Sequence, residues 1–369
     1  MKISAISTIL IHIPYETGGA TQLAGQSWTR MAILLVKVET DVGLTGWGEA
    51  FGHAIAAATK ATLDTMAAQH FIGRDPTDIS GLMAEMFQKL HLFGRNGSVI
   101  YALSAIDIAL WDIAGKRAGL PLHVLLGGAQ QREIEAYASL LRYGEPALVA
   151  KNAARAVADG YRSIKIHEID VPQVRAAREA IGTDVALMCD TNCPWTVSRA
   201  IEMVEALKPF HLHWLEEPVW PPEDHQGLAR VRRSGTPIAA GENAGGLHDF
   251  RHMLEAQAID IAQPSVTKIG GISEMRKIAA LLAEAFGVRL VPHCAYFGPG
   301  SLASLHIVAS LSRATPLERL YVRLEANPFA SFLEPNGGRI AVPAGPGLGC
   351  DPDMAIVERY RTAPITIIQ

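Results

Sequence analysis

The feature that most constrains this fold is a repeat of short apolar segments over the C-terminal two thirds of the chain. Eight such segments alternate with stretches of helical periodicity, at residues 134–140, 163–169, 185–191, 212–218, 237–243, 260–266, 289–295 and 320–326. This regular spacing fits one strand and one helix in each unit, and eight parallel strands are the number that closes a TIM-type barrel. The sequence therefore predicts an α/β fold built around such a barrel.

Polar or ionisable residues stand near the C-terminal ends of these segments, where TIM barrels place their catalytic groups. One residue from each segment gives the series Tyr137, Lys165, Asp190, Glu216, Glu242, Ser265, His293 and Tyr321, with neighbours 23 to 28 residues apart. A single polar residue at a strand end commonly marks only the point where the strand meets solvent. Together with His167, however, the series holds three acids, two histidines and a lysine in one register, which indicates a catalytic face.

The first 130 residues do not repeat and predict a separate, smaller domain. Residues 31–39 are strand-like, residues 41–43 supply turn chemistry, and residues 44–50 return as the second strand of a hairpin. Residues 102–117 carry apolar side chains at helical spacing, and Gly119-Leu120-Pro121 ends that helix. Strands followed by helices favour an α+β domain over residues 1–130, with the barrel over residues 131–344.

Composition excludes several classes of protein. With 49% hydrophobic and 19% charged residues over 369 positions, the chain can bury a large core and is not intrinsically disordered. A formal charge of -4 without a basic stripe argues against binding of nucleic acid or of a membrane surface. The N-terminus lacks a signal-peptide pattern, and no uninterrupted apolar run of ~18 residues occurs, so we expect a cytoplasmic enzyme.

Three carboxylates recur at a fixed interval. Asp190, Glu216 and Glu242 stand on successive units, each 26 residues after the last. Grouped at a barrel mouth, they would repel one another unless a cation neutralised them, and all-oxygen ligation with open positions suits Mg²⁺. Because side chains alternate along a strand and sequence does not show where the strand ends, Glu217 could replace Glu216 as the ligand.

Basic side chains stand on two further units. Lys165 and His167 are two residues apart on one strand, so both can face the mouth, where a lysine stabilises negative charge and a histidine serves as general base. His167 could instead only cap its strand. His293 ends the seventh segment, roughly across the barrel, and could move a proton on the opposite face of a substrate. His53 could reach over the barrel as a specificity residue, although a place on a surface loop fits its position equally well.

Motifs spread over nearly the whole chain form a specific pattern when they are taken together. They are DVGLTGWGEA (41–50), SAIDIALWDIAGKRAGLPLHVLLGG (104–128), DTN (190–192), LEEP (215–218), GEN (241–243), KIGG (268–271), VPH (291–293) and PGLG (346–349). This set resembles the mandelate racemase and muconate lactonizing enzyme branch of the enolase superfamily. The resemblance implies a (β/α)7β barrel under a capping domain that residues 345–369 complete, one Mg²⁺ in each subunit, a small carboxylate substrate and a homo-oligomer.

The resemblance also assigns roles to individual residues. It implies that Asp190, Glu216 and Glu242 hold the metal. Lys165 matches the first lysine of the family's K-x-K motif, the electrostatic partner of the substrate carboxylate. Asn192 matches a position that contacts substrate or stabilises charge. His167 replaces the second lysine of that motif, so the base on that face would be an imidazole.

Two other positions depart from the family pattern. Ser265 stands where a racemase-like member has an aspartate, so His293 would lack the carboxylate that orients it and raises its basicity. Tyr321 aligns best with a family glutamate on the eighth strand that donates to the substrate carboxylate, and it can still donate a hydrogen bond. A shifted alignment would restore Glu318 or Glu325 at that place.

These departures bear on the reaction, because two matched bases favour racemisation whereas one base and one acid favour elimination or cycloisomerisation. We therefore expect a Mg²⁺-dependent dehydratase of a hydroxy acid or acid sugar, with His167 as base and His293 as acid. A cycloisomerase of a sugar-acid lactone and a racemase or epimerase are the alternatives, and a metal-binding barrel without catalysis is a more distant one. Loop aromatics, Trp28 among them, suggest an aromatic mouth. No arginine fork for a second carboxylate is evident, which disfavours diacids.

Overall fold

The computed structural model describes residues 1–21, 28–128, 131–282 and 287–369, and the predicted domain boundary at residue 130 lies outside them. The strands, in chain order, are β1 (Ile3–Glu16), β2 (Arg30–Thr40), β3 (Thr45–Ala50), β4 (Glu133–Ser139), β5 (Ser163–Ile166), β6 (Ala186–Asp190), β7 (Trp214–Glu216), β8 (Ile238–Ala240), β9 (Ile261–Ala262), β10 (Arg289–Leu290), β11 (Leu317–Leu320), β12 (Arg323–Leu324), β13 (Arg339–Ala341) and β14 (Thr366–Ile368). The helices are α1 (Ala56–Thr62), α2 (Ile79–Lys89), α3 (Ser98–Ala118), α4 (Leu122–Leu125), α5 (Pro146–Ala158), α6 (Val171–Ile181), α7 (Val197–Leu207), α8 (His225–Arg232), α9 (Leu247–Glu255), α10 (Gly271–Leu281), α11 (Pro299–Ser310), α12 (Ala330–Leu333) and α13 (Met354–Tyr360).

An antiparallel sheet near the N-terminus forms the cap. Its strand order is β12-β1-β2-β3, and β14 also pairs with β1. The predicted hairpin is confirmed, since β2 and β3 are antiparallel partners. Helix α3 lies directly on β3, and Gly46 and Gly48 permit this approach because a Cβ at either position would overlap the backbone of α3. By length and composition α3 could cross a membrane, but 83% of its apolar window is buried in the fold, so it is a core helix.

The second sheet has nine strands, of which eight are parallel and confirm the predicted barrel-like α/β architecture, while β13 pairs antiparallel with β4 at its side. Their order is β10-β9-β8-β7-β6-β5-β4-β11, and α5 to α11 alternate with them as a (β/α)7β unit requires. The two ends of the sheet meet where the Glu318 carboxylate on β11 accepts a 2.8 Å hydrogen bond from the Cys294 backbone N–H after β10. The interior is filled by Tyr137, Met188, Trp214, Ala239, Ile261 and Val291.

The predicted positions are confirmed for the first seven barrel strands and are wrong for the eighth. β11 runs from Leu317 to Leu320 beside β4, so residues 321–326 follow the strand rather than form it. β12, within that predicted segment, pairs instead with β1 of the cap. The apolar pattern failed because β11 carries two charged side chains, Glu318 and Arg319, that tertiary contacts bury.

Candidate active site

Adjacent strand ends bring the three predicted carboxylates together. β6 ends at Asp190 and β7 at Glu216, which are paired across the sheet, and Glu242 lies just after β8. One oxygen from each carboxylate lies within 4.8 Å of the others. Parallel strands in register produce this cluster, because each strand–helix unit moves the chain to the neighbouring strand at the same height.

Burial makes the cluster unfavourable without a cation. Burial and the nearby Asp190 charge raise the pKa of Glu216 well above its usual range. Burial would by itself raise the pKa of Asp190, but the charges of Lys165 and His167 and the hydrogen bonds to Asp190 together outweigh burial and lower that pKa. Burial would also raise the pKa of Glu242, but the charge and hydrogen bond of His293, with the charge of Lys268, lower that pKa to about 2. A divalent cation would stabilise the ionised form of all three carboxylates.

Lys165 is the buried counter-charge of the cluster. Its Nζ lies 2.8 Å from Glu216 Oε1, 3.2 Å from Asp190 Oδ2 and 2.8 Å from Glu318 Oε1. Burial opposes the charged form of Lys165, but these carboxylates hold its pKa well above the usual range. Lys165 is therefore a cation at neutral pH.

His167 has one ring nitrogen whose proton is fixed. Nδ1 contacts the carbonyl oxygen of Leu140, which can only accept, so Nδ1 carries the hydrogen. Nε2 lies 3.2 Å from Asp190 Oδ2. The contact with Leu140 holds the ring at the strand end, as a capping role would, but Nε2 remains the atom that can accept a proton.

His293 makes a similar contact through Nε2 and a different one through Nδ1. Its Nε2 lies 3.0 Å from Glu242 Oε2. Its Nδ1 lies 3.2 Å from Ser265 Oγ and 3.4 Å from the Tyr296 hydroxyl, and these two hydroxyls contact each other. Because a hydroxyl can donate or accept, His293 is not confined to one tautomer as His167 is.

Glu216 rather than Glu217 faces the cluster. Glu217 Oε2 accepts a 2.7 Å hydrogen bond from Asn243 Nδ2 and a weaker one, 3.4 Å long, from Cys193 Sγ. Burial raises the pKa of Glu217 to about 8. Its side chain lines a separate small cavity between the barrel and helices α8 and α9. The alternative ligand left open by sequence is thus directed elsewhere.

A cavity of about 130 Å³ lies between the barrel mouth and the cap. The barrel side includes His167, Asn192, Glu242, Lys268 and His293, and the cap side includes Tyr15, Trp28, Phe51 and His53. The predicted substrate-binding residues Asn192, His53 and Trp28 all line it, and the rings of Trp28 and His53 lie 5.0 Å apart. Ser265, a further residue predicted to bind substrate, lies behind His293, where its Oγ is 3.2 Å from Nδ1, and is not among the residues that line the cavity.

Tyr321 is the predicted substrate-binding residue that the structure places elsewhere. Its hydroxyl accepts a 3.0 Å hydrogen bond from Arg155 Nε and donates to Asp159, in a different, polar cavity. Glu318, the alternative that the sequence analysis left open for this position, lies 2.8 Å from Lys165 Nζ. The correction follows from the strand position, because Tyr321 stands just beyond the end of β11.

Sequence reasoning missed two cations at the cavity, Arg142 and Lys268. Arg142 follows β4 and donates to the His167 carbonyl at 2.8 Å and to Asn192 Oδ1 at 3.0 Å. Lys268 lies in the KIGG segment after β9, which the sequence analysis used only as part of the family pattern. Both follow the C-terminal end of a barrel strand, which is the signal that could have identified them.

Comparison with known families accounts for both parts of the molecule. A model described as "Mandelate racemase / muconate lactonizing enzyme, N-terminal domain" matches residues 5–127, and one described as "Enolase C-terminal domain-like" matches residues 148–356. This chain belongs to the enolase superfamily. Within it, the chain falls in the mandelate racemase and muconate lactonizing enzyme family, as its motifs suggested.

Curated relatives of this enolase-superfamily chain match over nearly full length. The D-galactarolactone cycloisomerase of Agrobacterium fabrum is 35% identical, covering 98% of this chain and 99% of the relative. The 3,6-anhydro-alpha-L-galactonate cycloisomerase of Streptomyces coelicolor is 36% identical over 94% of this chain and 96% of its own length. The D-galactonate dehydratase of Ralstonia pickettii is 33% identical over 90% and 92% of the two chains.

Solved structures of the superfamily agree with this assignment. A racemase from Streptomyces coelicolor with bound magnesium is 34% identical and superimposes with a TM-score of 0.86. The match covers 98% of this chain and 100% of the racemase chain. An L-talarate dehydratase from Polaromonas, complexed with Mg and L-glucarate, is 28% identical over 100% and 99% of the two chains, with a TM-score of 0.82. The chain is an enolase-superfamily enzyme of the dehydratase or cycloisomerase kind.

Proposed function

We propose that this enzyme removes the α-proton of a sugar acid and then eliminates water across the α- and β-carbons. The observation that carries the proposal is the pair of histidines beside the carboxylate cluster, which have unlike surroundings. The Leu140 carbonyl keeps the hydrogen on Nδ1 of His167, so Nε2, which lies beside Asp190 Oδ2, is the nitrogen that can accept a proton. His293 has the hydroxyls of Ser265 and Tyr296 at Nδ1 where a carboxylate would make it more basic. One base and one acid suit elimination better than racemisation.

The residues present fit a Mg²⁺ site. Asp190, Glu216 and Glu242 offer three oxygens within 4.8 Å of one another, and Lys165, which Glu318 also contacts, cannot balance all of these charges alone. Hard oxygen donors of this kind suit Mg²⁺. When bound, the ion would draw electron density from the substrate carboxylate and so make the neighbouring α-proton more acidic. Bound magnesium in a related structure supports this assignment.

The side chains then divide the chemistry between them. Lys165, held charged beside Glu318, stabilises the negative charge that develops on the substrate carboxylate. His167 Nε2 accepts the α-proton, and the C–H electron pair moves into the carboxylate. As that pair returns, the bond between the β-carbon and its hydroxyl breaks, and His293 supplies the proton that makes the leaving group water. The resulting enol tautomerises to the keto acid.

Cycloisomerisation is the second candidate, because two of the curated relatives are named cycloisomerases. The same base would remove the α-proton of a lactone or anhydro sugar acid. The ring oxygen on the β-carbon would then leave in place of hydroxide, and His293 would protonate it. The two reactions differ in their substrate and product, not in the residues they require.

Proton NMR in D₂O tests this proposal on Mg²⁺-loaded enzyme with a library of sugar acids and their lactones. The wild type should replace or lose α-protons, His167→Asn should abolish that loss, and His293→Asn should keep exchange while slowing product formation. His211→Asn is a matched control, because His211 precedes β7 at the opposite end of the barrel and its φ of 48° suits asparagine. Product from lactones alone would favour cycloisomerisation, and inversion at the α-carbon would contradict both eliminations.

We also propose that the enzyme is a cytoplasmic homo-oligomer whose subunits have a cap of residues 1–130 and 345–369 and a barrel of residues 131–344. The pairing of β14 with β1 supports the inclusion of the C-terminal residues in the cap. Light scattering coupled to size-exclusion chromatography should give a multiple of the 39.7 kDa chain mass. A monomer at micromolar concentration would contradict the oligomer.

A further inference from the structure

The segment that follows β4 holds His167 at two points. The ring Nδ1 donates to the carbonyl oxygen of Leu140, and the backbone carbonyl of His167 accepts a 2.8 Å hydrogen bond from Arg142 Nε. Leu140 and Arg142 are separated by one residue, and both follow the C-terminal end of β4. The ring and the backbone of the proposed base are therefore fixed by one short stretch of chain at a neighbouring strand end.

Arg142 also reaches the end of a third strand. Its Nη2 donates to the carbonyl oxygen of Thr191 at 2.9 Å and to Oδ1 of Asn192 at 3.0 Å, just after β6. One guanidinium thus connects the loops that follow β4, β5 and β6. A guanidinium suits this task because its donors are spread over a rigid plane, whereas a lysine ammonium is one compact group on a flexible chain.

The loop after β6 has a backbone that needs such support. Asn192 and Cys193 have φ angles of 54° and 56°, in the left-handed region that residues other than glycine rarely adopt. The backbone N–H of Cys193 donates to the Glu217 carbonyl oxygen at 2.7 Å, which secures one side of the loop. Among the residues that the structure describes, Arg142 is the hydrogen-bond partner of the Asn192 side chain. Arg142 therefore secures the side of the loop that faces His167.

The contact with Arg142 also determines which amide atom of Asn192 remains for a substrate. An arginine can only donate, so Oδ1 of Asn192 is the atom that faces it, and Nδ2 is left to donate elsewhere. Asn192, His167 and Arg142 all line the candidate active-site cavity. The oxygens that accept from Arg142 are two backbone carbonyls and one amide, all of them uncharged. The guanidinium thus orients two groups at the cavity without entering an ion pair with either.

We propose that Arg142 is a positioning residue for removal of the α-proton, because it holds the base His167 and the amide of Asn192 in one fixed arrangement. This inference rests on the proposed function and adds a residue to it. Since Arg142 acts through its two neighbours, its loss should slow proton removal and leave substrate affinity nearly unchanged. A displacement of about 1 Å between reacting groups can reduce a rate about a hundredfold, which sets the expected effect.

The first test measures α-proton loss by Mg²⁺-loaded variants with proton NMR in D₂O, on the sugar acid that the wild type uses best. In Arg142→Met, kcat should fall about a hundredfold while KM stays within about threefold of the wild type. Arg142→Lys, which keeps one donor, should recover part of that loss. The combined loss in a variant with both Arg142→Met and Asn192→Ala should be smaller than the product of the single losses, because the two residues act through one contact.

Arg178→Met is the matched control. Arg178 on α6 donates to backbone carbonyls in the loops before β6 and β7, at the opposite end of the barrel, namely those of Phe210, Gly182, Val185 and His211. Both variants remove hydrogen bonds between loops and should lower the thermal midpoint, but only Arg142→Met should lower kcat. Equal losses of kcat in the two variants would overturn the inference. A loss in Arg142→Met that is expressed in KM would also overturn it and would make Arg142 a substrate-binding residue.

A second readout does not require turnover. In enzyme with isotope-labelled histidine, the hydrogen on Nδ1 of His167 should give a ring N–H signal that the Leu140 carbonyl protects from exchange, identified by its absence in His167→Asn. Arg142→Met should weaken or abolish this signal, and Arg178→Met should keep it. If no acid loses its α-proton, the proposed function fails, and this signal alone then decides the inference. Its loss in Arg142→Met supports the positioning role, and an unchanged signal contradicts it.

Discussion

The two sides of the barrel mouth hold their histidines in contrasting ways. On one side, His167 is fixed by a backbone carbonyl and lies beside Asp190, which the buried Lys165 also contacts. On the other side, His293 is backed by the hydroxyls of Ser265 and Tyr296. Both histidines contact a proposed metal ligand through Nε2, so the difference resides in Nδ1. This difference in the partner of Nδ1 is what supports the proposed roles of His167 as base and His293 as acid.

Loss of a metal ligand should have the largest effect. Asp190→Asn removes a charge from the side on which His167 lies, and kcat/KM should fall about a thousandfold or more, the equivalent of about 4 kcal/mol of transition-state stabilisation. Mg²⁺ should raise the thermal midpoint of the wild type, and EDTA should reverse that rise, whereas the variant should not respond. Glu217→Gln is the control, because Glu217 adjoins a ligand in sequence but faces another cavity; it should keep its response to Mg²⁺. A full response in Asp190→Asn would contradict the assigned ligand set.

Removal of the buried lysine should follow in size. Lys165→Met leaves the carboxylates of Asp190, Glu216 and Glu318 without their shared counter-charge, and a broken buried pair costs about 3–5 kcal/mol. Urea unfolding without metal should show this loss of stability, and added Mg²⁺ should recover part of it. Lys116→Met, which breaks the pair between the partly exposed Lys116 and the buried Asp112, gives a reference for comparison. An unchanged unfolding free energy would mean that the carboxylates are protonated in the metal-free protein.

Ser265→Asp would reduce the difference between the two sides of the barrel mouth, because each histidine would then be able to act as a base. A carboxylate behind Nδ1 should raise the basicity of His293, so that it can remove a proton from the opposite face of the substrate. In a His167→Asn background, α-proton exchange in D₂O should rise about tenfold over the same background with Ser265 intact. Ser265→Ala should give no such gain. If Ser265→Asp and Ser265→Ala behave alike, the partner of His293 does not determine its role.

The last prediction is a pH dependence at the contact between cap and barrel, and its effect is small at each pH step. Glu49 of β3 accepts a 2.8 Å hydrogen bond from the Gly300 backbone N–H of α11. Burial raises the pKa of Glu49 to about 8, although hydrogen bonds from the backbone N–H groups of Gly300, Gly298 and Phe297 lower it in part. The folded state therefore holds this proton more tightly than the unfolded state, and the unfolding free energy should fall between about pH 4.5 and pH 8, by at most about 1.4 kcal/mol per pH unit. Glu49→Gln should flatten that slope in urea titrations, and an unaltered slope would assign it to other groups.

Much of this molecule could be predicted from its sequence. The regular spacing of apolar segments predicted the barrel, and the interval between Asp190, Glu216 and Glu242 predicted their cluster, because parallel strands of similar length bring equivalent positions to one height. The hairpin of β2 and β3 was equally local, since its turn and its two strands adjoin one another in the chain. Where contacts join neighbours in the sequence or equivalent positions of a regular repeat, the sequence pattern is sufficient to predict them.

Tertiary structure alone decided the remaining features of the site. The choice of Glu318 over Tyr321 depended on where β11 ends, and that strand is stabilised by burying a glutamate against Lys165, a contact that hydropathy does not reveal. The direction of Glu217 depended on how the chain turns after β7. Lys268 reaches the cavity only because the cap folds over the barrel and places Phe51 beside it. These features join residues far apart in the chain, so their physical cause is a contact that no local pattern encodes.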